Sequence, residues 1–433
     1  MSQEIELKFI VHQDALSSLR TALDTLEGEH TSGRKLLNIY YETPDLQLRR
    51  HDMGLRVRGD DGRYEMTMKT AGQTIGGLHQ RPEYNVALES PELELARFPA
   101  EMWPQGLNVD ALSEVLEPLF RTDFQREKWV VTYGESRIEV ALDQGDIVAG
   151  EHQEPLCELE LELLEGRVED VLSLAREKLL REGLRQGSQS KAARGYHLAR
   201  GNALREVREL PGMAWLPKAS LEQGLEAALT LALSHWQYHE ELWARGNVDA
   251  ARQVLHSVAL VRHALALFGG AIPRKASTHL RGELSQLEEA LAARPLDGAL
   301  PWGLTSSSAQ LALTEWLATR GWRPWLDTKM RNKLDGSFKR FADTHLSRLA
   351  AELKTAFSRS GNEQASEQLL RLERCLDMAR ILAGGYKEVR WQPWVGSWQA
   401  LADAISHGRV GDIEHTRRQA LAQAPFWNHS GQH

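Results

Sequence analysis

The stretch that most constrains this chain is its N-terminus, where Glu4-Ile5-Glu6-Leu7-Lys8-Phe9 alternates strictly between charged and apolar residues. Side chains along a strand have a period of two, so Glu4, Glu6 and Lys8 share one face and Ile5, Leu7 and Phe9 the other. A single strand of this kind is equally consistent with a sheet surface whose charges lie in water. The recurrence of the pattern separates the two readings. Leu55-Arg56-Val57-Arg58, Glu65-Met66-Thr67-Met68-Lys69, Arg81-Pro82-Glu83, Arg126 with Lys128, Arg137 to Asp143 and Glu158-Leu159-Glu160-Leu161-Glu162 repeat it.

Eight acidic positions (Glu4, Glu6, Glu83, Glu139, Asp143, Glu158, Glu160, Glu162) and eight basic ones (Lys8, Arg56, Arg58, Lys69, Arg81, Arg126, Lys128, Arg137) therefore stand at strand period. The opposite faces are apolar and need cover, which the intervening helices can supply. Closing the sheet with those faces outward leaves a charged lumen, and a small barrel can enclose a ligand. Such an interior is tolerable only if its charges are paired, hydrated or filled by an ion. Arginines fork onto phosphate oxygens, lysines act as point charges, and glutamates are hard oxygen ligands for Mg²⁺ or Mn²⁺.

Residues 1–200 read as mixed strand and helix. Helices are expected over Gln13–Leu26, Asp110–Phe120 and Val168–Glu182, with turns at Asp60-Asp61-Gly62 and Gly145-Asp146. Pro82 marks an edge position or a bulge. Residues 201–217, with two prolines and a glycine in Arg205–Pro217, read as a linker. In residues 218–433 the strand signal vanishes, and 11 of the 13 tryptophans lie beyond residue 210. Helices are expected there over Leu221–Arg245, Asp249–Phe268, Ala276–Ala292, Ser308–Thr319, Lys339–Ser358, Glu363–Ala383 and Gly396–Ala404, broken at points that include Gly361-Asn362. The fold class expected is α+β: a charged-face sheet with surrounding helices, which closure would make a β tunnel, then an all-α bundle.

Composition narrows the function classes. No apolar run approaches the roughly 18 residues a membrane span needs, and the acidic start lacks the basic region of a signal peptide. The two cysteines, Cys157 and Cys375, suggest neither a disulfide framework nor a cysteine metal site, so a cytoplasmic home is expected. A net charge of −8 argues against general nucleic-acid binding. His235 and His239, at i,i+4, are a weak metal signal without a third ligand. His256 and His263 also share a helix face.

Glu4-x-Glu6-x-Lys8, Leu55-Arg56-Val57-Arg58, Thr67-x-Lys69, Arg81-x-Glu83, the Glu158/Glu160/Glu162 strand and Ser190-Lys191, in that order, resemble the CYTH family of triphosphate tunnel metalloenzymes. The resemblance covers about residues 1–200 and implies an eight-stranded antiparallel tunnel that binds a triphosphate with a divalent metal. It implies that Lys8, Arg56, Arg58, Lys69, Arg126 and Lys191 hold phosphates, with Arg81, Lys128 and Arg137 as further candidates. Metal ligands and a water-orienting carboxylate would come from Glu4, Glu6, Glu83, Asp143, Glu158, Glu160 and Glu162. Glu4, Glu6, Lys8 and Lys191 would stand nearest the chemistry. Asn85 departs from the family, many members of which have a glutamate there.

The second region resembles the CHAD family, helical modules associated with polyphosphate. Ala251–Phe268 has the length and apolar spacing of that family's first signature helix, but Leu255, Ala259, Leu260 and Ala266 stand where arginines are typical. The later helix, Leu369–Tyr386, keeps Arg371 and Arg380 and has Glu373 and Asp377 at usually basic positions. The expected activity is metal-dependent hydrolysis of inorganic tripolyphosphate with Mg²⁺, Mn²⁺ being the alternative. Longer polyphosphate is a candidate partner of the helical region, and neither a membrane nor nucleic acid is expected. ATP cyclisation, thiamine triphosphate hydrolysis and a non-catalytic polyphosphate sensor are the alternatives.

Overall fold

The computed structural model describes residues 2–293, 295–358 and 364–427. Its strands are β1 (Ser2–Val11), β2 (Gly28–Glu42), β3 (Gly54–Asp60), β4 (Arg63–Lys69), β5 (Gln73–Ile75), β6 (Leu78–Leu88), β7 (Glu117–Tyr133), β8 (Ser136–Ala149), β9 (His152–Glu165) and β10 (Leu184–Gln186). Eight of them run β1-β9-β8-β7-β2-β3-β4-β6, each antiparallel to the next, and β6 returns to β1 through Ser2–Glu83 to Leu7–Leu78. The sheet is thereby a closed barrel. β5 and β10 are short additions to β6 and β1. Pro82 lies where β6 passes from pairing with β4 to pairing with β5, so its missing N–H breaks no ladder on that side.

The apolar faces point outward under the helices α1 (Leu16–Leu23), α2 (Gln47–Arg50), α3 (Val109–Val115), α4 (Val168–Leu174) and α5 (Lys191–Ala199). Leu7, Phe9, Val140, Leu159 and Leu161 pack with Leu19 and Leu23 of α1 and with Val171 and Leu174 of α4. Leu55, Val57, Met66 and Met68 pack under Leu48 of α2 and Leu112 of α3. A third cluster differs in kind. Leu36, Phe124, Ile147 and Leu156 share the parity of the charged residues and so face the lumen, where they pack with Tyr196 and Leu198 of α5. That apolar plug and α5 close one end of the barrel. Gly195 lets α5 come against the Phe120 ring, which occupies the space any Cβ would need.

Three expectations for this region are corrected. The helix expected to reach Phe120 ends at Val115 and β7 begins at Glu117, while the helix expected to reach Glu182 ends in a π turn at Leu179. Gly145-Asp146 is no turn: β8 runs through it to Ala149. The glycine serves the close approach of β7, since a Cβ would meet the backbone of Asp123 and Phe124. The actual turn uses Gly150, at φ +57°.

Nine further helices follow among the described residues: α6 (Leu221–Ala244), α7 (Ala250–Leu267), α8 (Thr278–Ala293), α9 (Leu304–Ala318), α10 (Thr328–Leu334), α11 (Phe338–Phe357), α12 (Ala365–Ala383), α13 (Glu388–Ser406) and α14 (Val410–Leu421). The expected break at Gly361-Asn362 and the expected helix start at Glu363 lie outside the described residues. α13 starts two turns earlier than its sequence suggests, with Pro393 inside it, because Trp394, Trp398 and Leu401 bury one continuous face. α14 was invisible to periodicity because only Ala420 on it is buried. No described helix is long and apolar enough to cross a membrane.

The chain forms two compact units. One holds the residues up to Glu206 together with Glu241–Val248 and Glu283–Thr319; the other holds Val207–Glu240, Asp249–Gly282 and the chain from Arg320 onward. In the first unit, Leu311 of α9 joins the core beneath β1 and β9. In the second, Leu210 and Met213 of the expected linker are buried, and the Met213 N–H donates to the Arg380 carbonyl at 3.1 Å.

The four histidines noted in the sequence are held by their neighbours, His235 through Nε2 to Gln253 at 3.0 Å. His239 bonds the His235 carbonyl through Nδ1 and accepts the Arg208 N–H through Nε2, so neither nitrogen is left for a metal. His256 Nε2 and His263 Nδ1 both reach the buried Asp377 carboxylate at 2.7 Å. Burial opposes ionisation of Asp377 and His256, but hydrogen bonds and charges within the cluster outweigh it, lowering the Asp377 pKa and raising that of His256. A lowered carboxyl stabilises the fold above its unfolded value and a raised imidazole below its own. The clamp should be strongest between about pH 4 and 6.5. Asp377→Asn should destabilise the protein by about 3 kcal/mol in that window. In thermal melts the gap from the parent should narrow on both the acid and alkaline sides.

Candidate active site

The lumen is a cavity of about 460 Å³ lined by residues from all eight barrel strands and the start of α5. The barrel register arranges its charges. Lys8 lies opposite Glu160, Glu6 opposite Glu162, and Glu162 in turn opposite Glu139, so three carboxylates form one row across β1, β9 and β8. Glu4 faces Arg81 across the closure, Arg126 faces Asp143, and Lys69 faces Glu83. Ser190 caps α5 by accepting the Ala193 N–H, and the helix carries Lys191 into the lumen.

On one side of the lumen the charges are paired. Lys191 Nζ lies 2.6 Å from Glu160, 2.8 Å from Asp143 and 2.9 Å from Glu158. Arg126 forks onto both Asp143 oxygens at 2.7 Å and reaches Glu160 at 2.6 Å. Lys8 lies 3.1 Å from Glu160 and 3.6 Å from Glu158. Burial works against the ionised Glu158, yet Lys191, Lys8 and Arg194 hold its pKa down to about 2. Against the same desolvation, the surrounding carboxylates raise the pKa values of Lys8, Lys191 and Arg126.

The remaining charges are crowded by their own kind. The Glu162 carboxyl is pushed up to about 7 by burial and by the charges of Glu4, Glu6 and Glu139. Like charges directly opposite on neighbouring strands repel. Lys69 gives both Glu4 oxygens a partner, at 2.7 and 2.6 Å, and Lys128 reaches Glu139 at 2.9 Å. Opposite in sign is the pair Arg56 and Arg58. Arg58 donates to the neutral Asn38 at 2.8 Å, and burial with the charges of Arg56 and Arg126 lowers its pKa to about 10. The buried Arg56 Nε has no hydrogen-bond partner, and its nearest carboxylate, Glu83, is 3.7 Å away.

Most of the expected residues therefore line one cavity: Glu4, Glu6, Lys8, Arg56, Arg58, Lys69, Arg81, Glu83, Arg126, Lys128, Glu160, Glu162 and Lys191. Arg137 does not; it is exposed beside a register shift that takes the end of β8 away from the lumen. Asp143 and Glu158 lie behind the lining, tied to Lys191, Arg126 and Arg194, so their charge is already matched and they fit a metal-ligand role poorly. Glu160 lines the cavity but is likewise saturated by three cations. Glu139, which alternation had already placed on this face, completes the carboxylate row. Sequence reasoning missed Arg194, three residues after Lys191 on α5, and Arg34 and Tyr40, which also line the cavity. The i,i+3 spacing on α5 was the available signal for Arg194.

Residues 2–196 match the CYTH domain and residues 227–419 the CHAD domain. The chain carries a CYTH domain followed by a CHAD domain. A Haemophilus influenzae protein named inorganic triphosphatase is 39% identical over 203 residues, which are 46% of this chain and 55% of that relative. The match thus spans about half of the relative's length. Among solved structures, a proposed adenylyl cyclase from Hippeastrum with a dominant triphosphatase activity is 19% identical. It covers 47% of this chain and 97% of its own, at a TM-score of 0.36. The CHAD domain of Ricinus communis is 18% identical over 50% of this chain and 91% of its own, at a TM-score of 0.35.

The CYTH domain's carboxylate row suits a hard divalent cation in donor type and charge, through Glu6, Glu139 and Glu162 with Glu4 beside them. Among the described residues no three acidic, histidine or cysteine side chains are already drawn together as a ligand cage. The fit is therefore one of chemistry rather than preformed geometry. Glu162→Gln removes one member of a repelling row at nearly constant volume. It should raise the melting temperature of the chelator-treated protein, by about 0.5 kcal/mol of added stability. The same variant should lose most of the thermal shift that Mg²⁺ gives the parent.

Proposed function

We propose that the CYTH domain hydrolyses inorganic tripolyphosphate to pyrophosphate and phosphate in a metal-dependent reaction within the barrel. The observation that carries this reading is incomplete pairing on both sides of one lumen. Among the described residues, Arg58 has no carboxylate at ion-pair distance and the buried Arg56 Nε no hydrogen-bond partner, while Glu162, in a row with Glu6 and Glu139, has no cation at ion-pair distance. A triphosphate with a bound divalent ion cancels both excesses at once. The relative named inorganic triphosphatase supports the same reading.

In this reading Arg56 and Arg58 fork onto phosphate oxygens, and Lys8, Lys69, Arg81, Arg126 and Lys191 add positive charge along the chain. Glu6, Glu139 and Glu162, with Glu4, would hold Mg²⁺, or Mn²⁺ in its place. When bound, such an ion polarises phosphoryl oxygens and neutralises developing charge. A glutamate of the same row orients water for in-line attack on the terminal phosphorus. The new P–O bond forms as the bridging P–O bond breaks, pyrophosphate leaves, and the water's proton passes to solvent. Phosphoryl transfer asks the protein for little beyond this positioning and charge.

The aromatic rings of the cavity favour an inorganic substrate. Tyr40 and Phe124 line it, but Tyr40 is stacked on Phe120 at 4.5 Å. Phe124 lies under Arg126 at 5.7 Å and Lys191 at 5.4 Å. Each ring is thus already engaged, Tyr40 by a neighbouring ring and Phe124 by two lumen cations, rather than set as a pair to clamp a nucleobase or a thiazolium ring. Long-chain polyphosphate finds little in the first CHAD signature helix, where Leu260 is core and Leu255 is an exposed apolar side chain.

Phosphate release should be fast from tripolyphosphate with Mg²⁺, slow from ATP and thiamine triphosphate, and absent after chelation. Glu6→Gln should cut turnover at least about a hundredfold without unfolding the protein, as expected for loss of a metal-binding charge. Cyclic AMP from ATP, or faster thiamine triphosphate hydrolysis, would move the assignment to those reactions. Tight tripolyphosphate binding without turnover would make the protein a sensor.

A further inference from the structure

The paired side of the lumen does not end at the barrel wall. Glu158 gives one oxygen to the lumen lysines, Lys191 at 2.9 Å and Lys8 at 3.6 Å, and the other to Arg194 Nη1 at 2.7 Å. Arg194 then turns outward, donating from Nε to Glu154 at 2.6 Å and from Nη2 to the Pro155 carbonyl at 2.7 Å. Glu154 accepts Arg245 Nη2 at 2.9 Å; Arg245 Nε donates to Glu241 at 2.6 Å, and Arg185 meets the other Glu241 oxygen at 2.6 Å. Arg185 rests over Trp302, 4.9 Å from its centroid. The charges alternate without a gap from the lumen lysines to Arg245, which is half exposed. Glu241 and Arg245 come from the end of α6 and the turn after it, within the span matched to the CHAD domain, and they pack in the first compact unit.

We propose that Glu241 and Arg245 are positioning residues for the tunnel: by holding Glu154, they set Arg194 on Glu158 and so fix how far Lys8 and Lys191 reach toward the substrate phosphates. The reason is charge balance in a buried chain. Removing Arg245 leaves Glu154 and Glu241 with excess negative charge, which draws Arg194 off Glu158. Glu158 then keeps only the two lysines as partners and pulls them back from the lumen. Each step acts on a neighbour at ion-pair distance, where removing one partner leaves an uncompensated buried charge. The inference rests on the tunnel being the triphosphate site, and it adds that a segment of the CHAD-matched region tunes it.

The test uses the full chain with Arg245→Met, Arg245→Lys and the near-isosteric Glu241→Gln. Initial rates on tripolyphosphate with Mg²⁺ give kcat and KM, and calorimetry with chelator gives metal-free tripolyphosphate affinity. Expected are a rise in KM of about tenfold for Arg245→Met, the scale of losing an outer support, and a smaller fall in kcat. Metal-free affinity should weaken in parallel, and Arg245→Lys should recover most of both. Glu241→Gln should shift the same quantities in the same direction even if Arg245→Met does not fold. Parent-like KM and affinity in folded variants would overturn the proposal. So would a loss of activity that follows melting temperature and is not recovered by lysine. A parent that binds tripolyphosphate but does not hydrolyse it defeats the hydrolase reading alone, and the affinity measurements still decide this one. A parent that does not bind tripolyphosphate defeats both.

Discussion

Everything in the first unit depends on charge being turned inward by the closure of β6 on β1. An open sheet with the same alternation would leave its acidic and basic side chains in water, where ion pairs are worth little. Closure shields the lumen from bulk water, so a charge there gains much from a partner, and strand register sets which partner is within reach. Lys8 meets Glu160 and Arg126 meets Asp143 because the antiparallel pairing puts them opposite one another. The same register sets Glu6, Glu162 and Glu139 against each other, a placement that costs stability unless a cation joins them. The site is the part of the lumen where pairing was left incomplete.

The paired side has its own consequence. Asp143, Glu158 and Glu160 look in sequence like ligands, since they are carboxylates at strand period. In the fold they are the anchors that keep Lys8, Arg126 and Lys191 ionised and aimed in a desolvated place. A buried lysine without such anchors would tend to lose its proton. Carboxylates at strand period therefore fall into two groups, paired and crowded, and only the identity of each one's neighbours distinguishes them.

The helical region is not simply appended. Leu311 of α9 lies in the core beneath β1 and β9, and Thr314 of the same helix donates to Gln186 at 3.0 Å. Gln186 in turn accepts the Gly77 N–H at 2.8 Å, and the Gly77 carbonyl accepts the Lys8 N–H at 2.9 Å. Backbone and side chain of the tunnel's first lysine are thus both supported by chains of contacts that run, within the first unit, into residues 241–248 and 283–319.

Local pattern determined a great deal here. The period-two alternation, the apolar reverse faces and the glycine-punctuated helices were enough for a sheet with one charged face followed by an α-helical region, and for most of the lining residues; the order of the charged motifs, through the family they resemble, added the antiparallel barrel. Those features are read from near neighbours in sequence, where a strand or helix imposes its own period. Tertiary structure decided what alternation cannot carry: that Arg137 falls outside the lumen, that Gly145 serves a close approach rather than a turn, and that Asp143 and Glu158 are matched while Glu162 is not. It also decided that Arg245, 91 positions after Glu154, is that carboxylate's partner. Charge partners are chosen by strand register and helix docking, and both depend on contacts between residues far apart in the chain. No period within one segment encodes them.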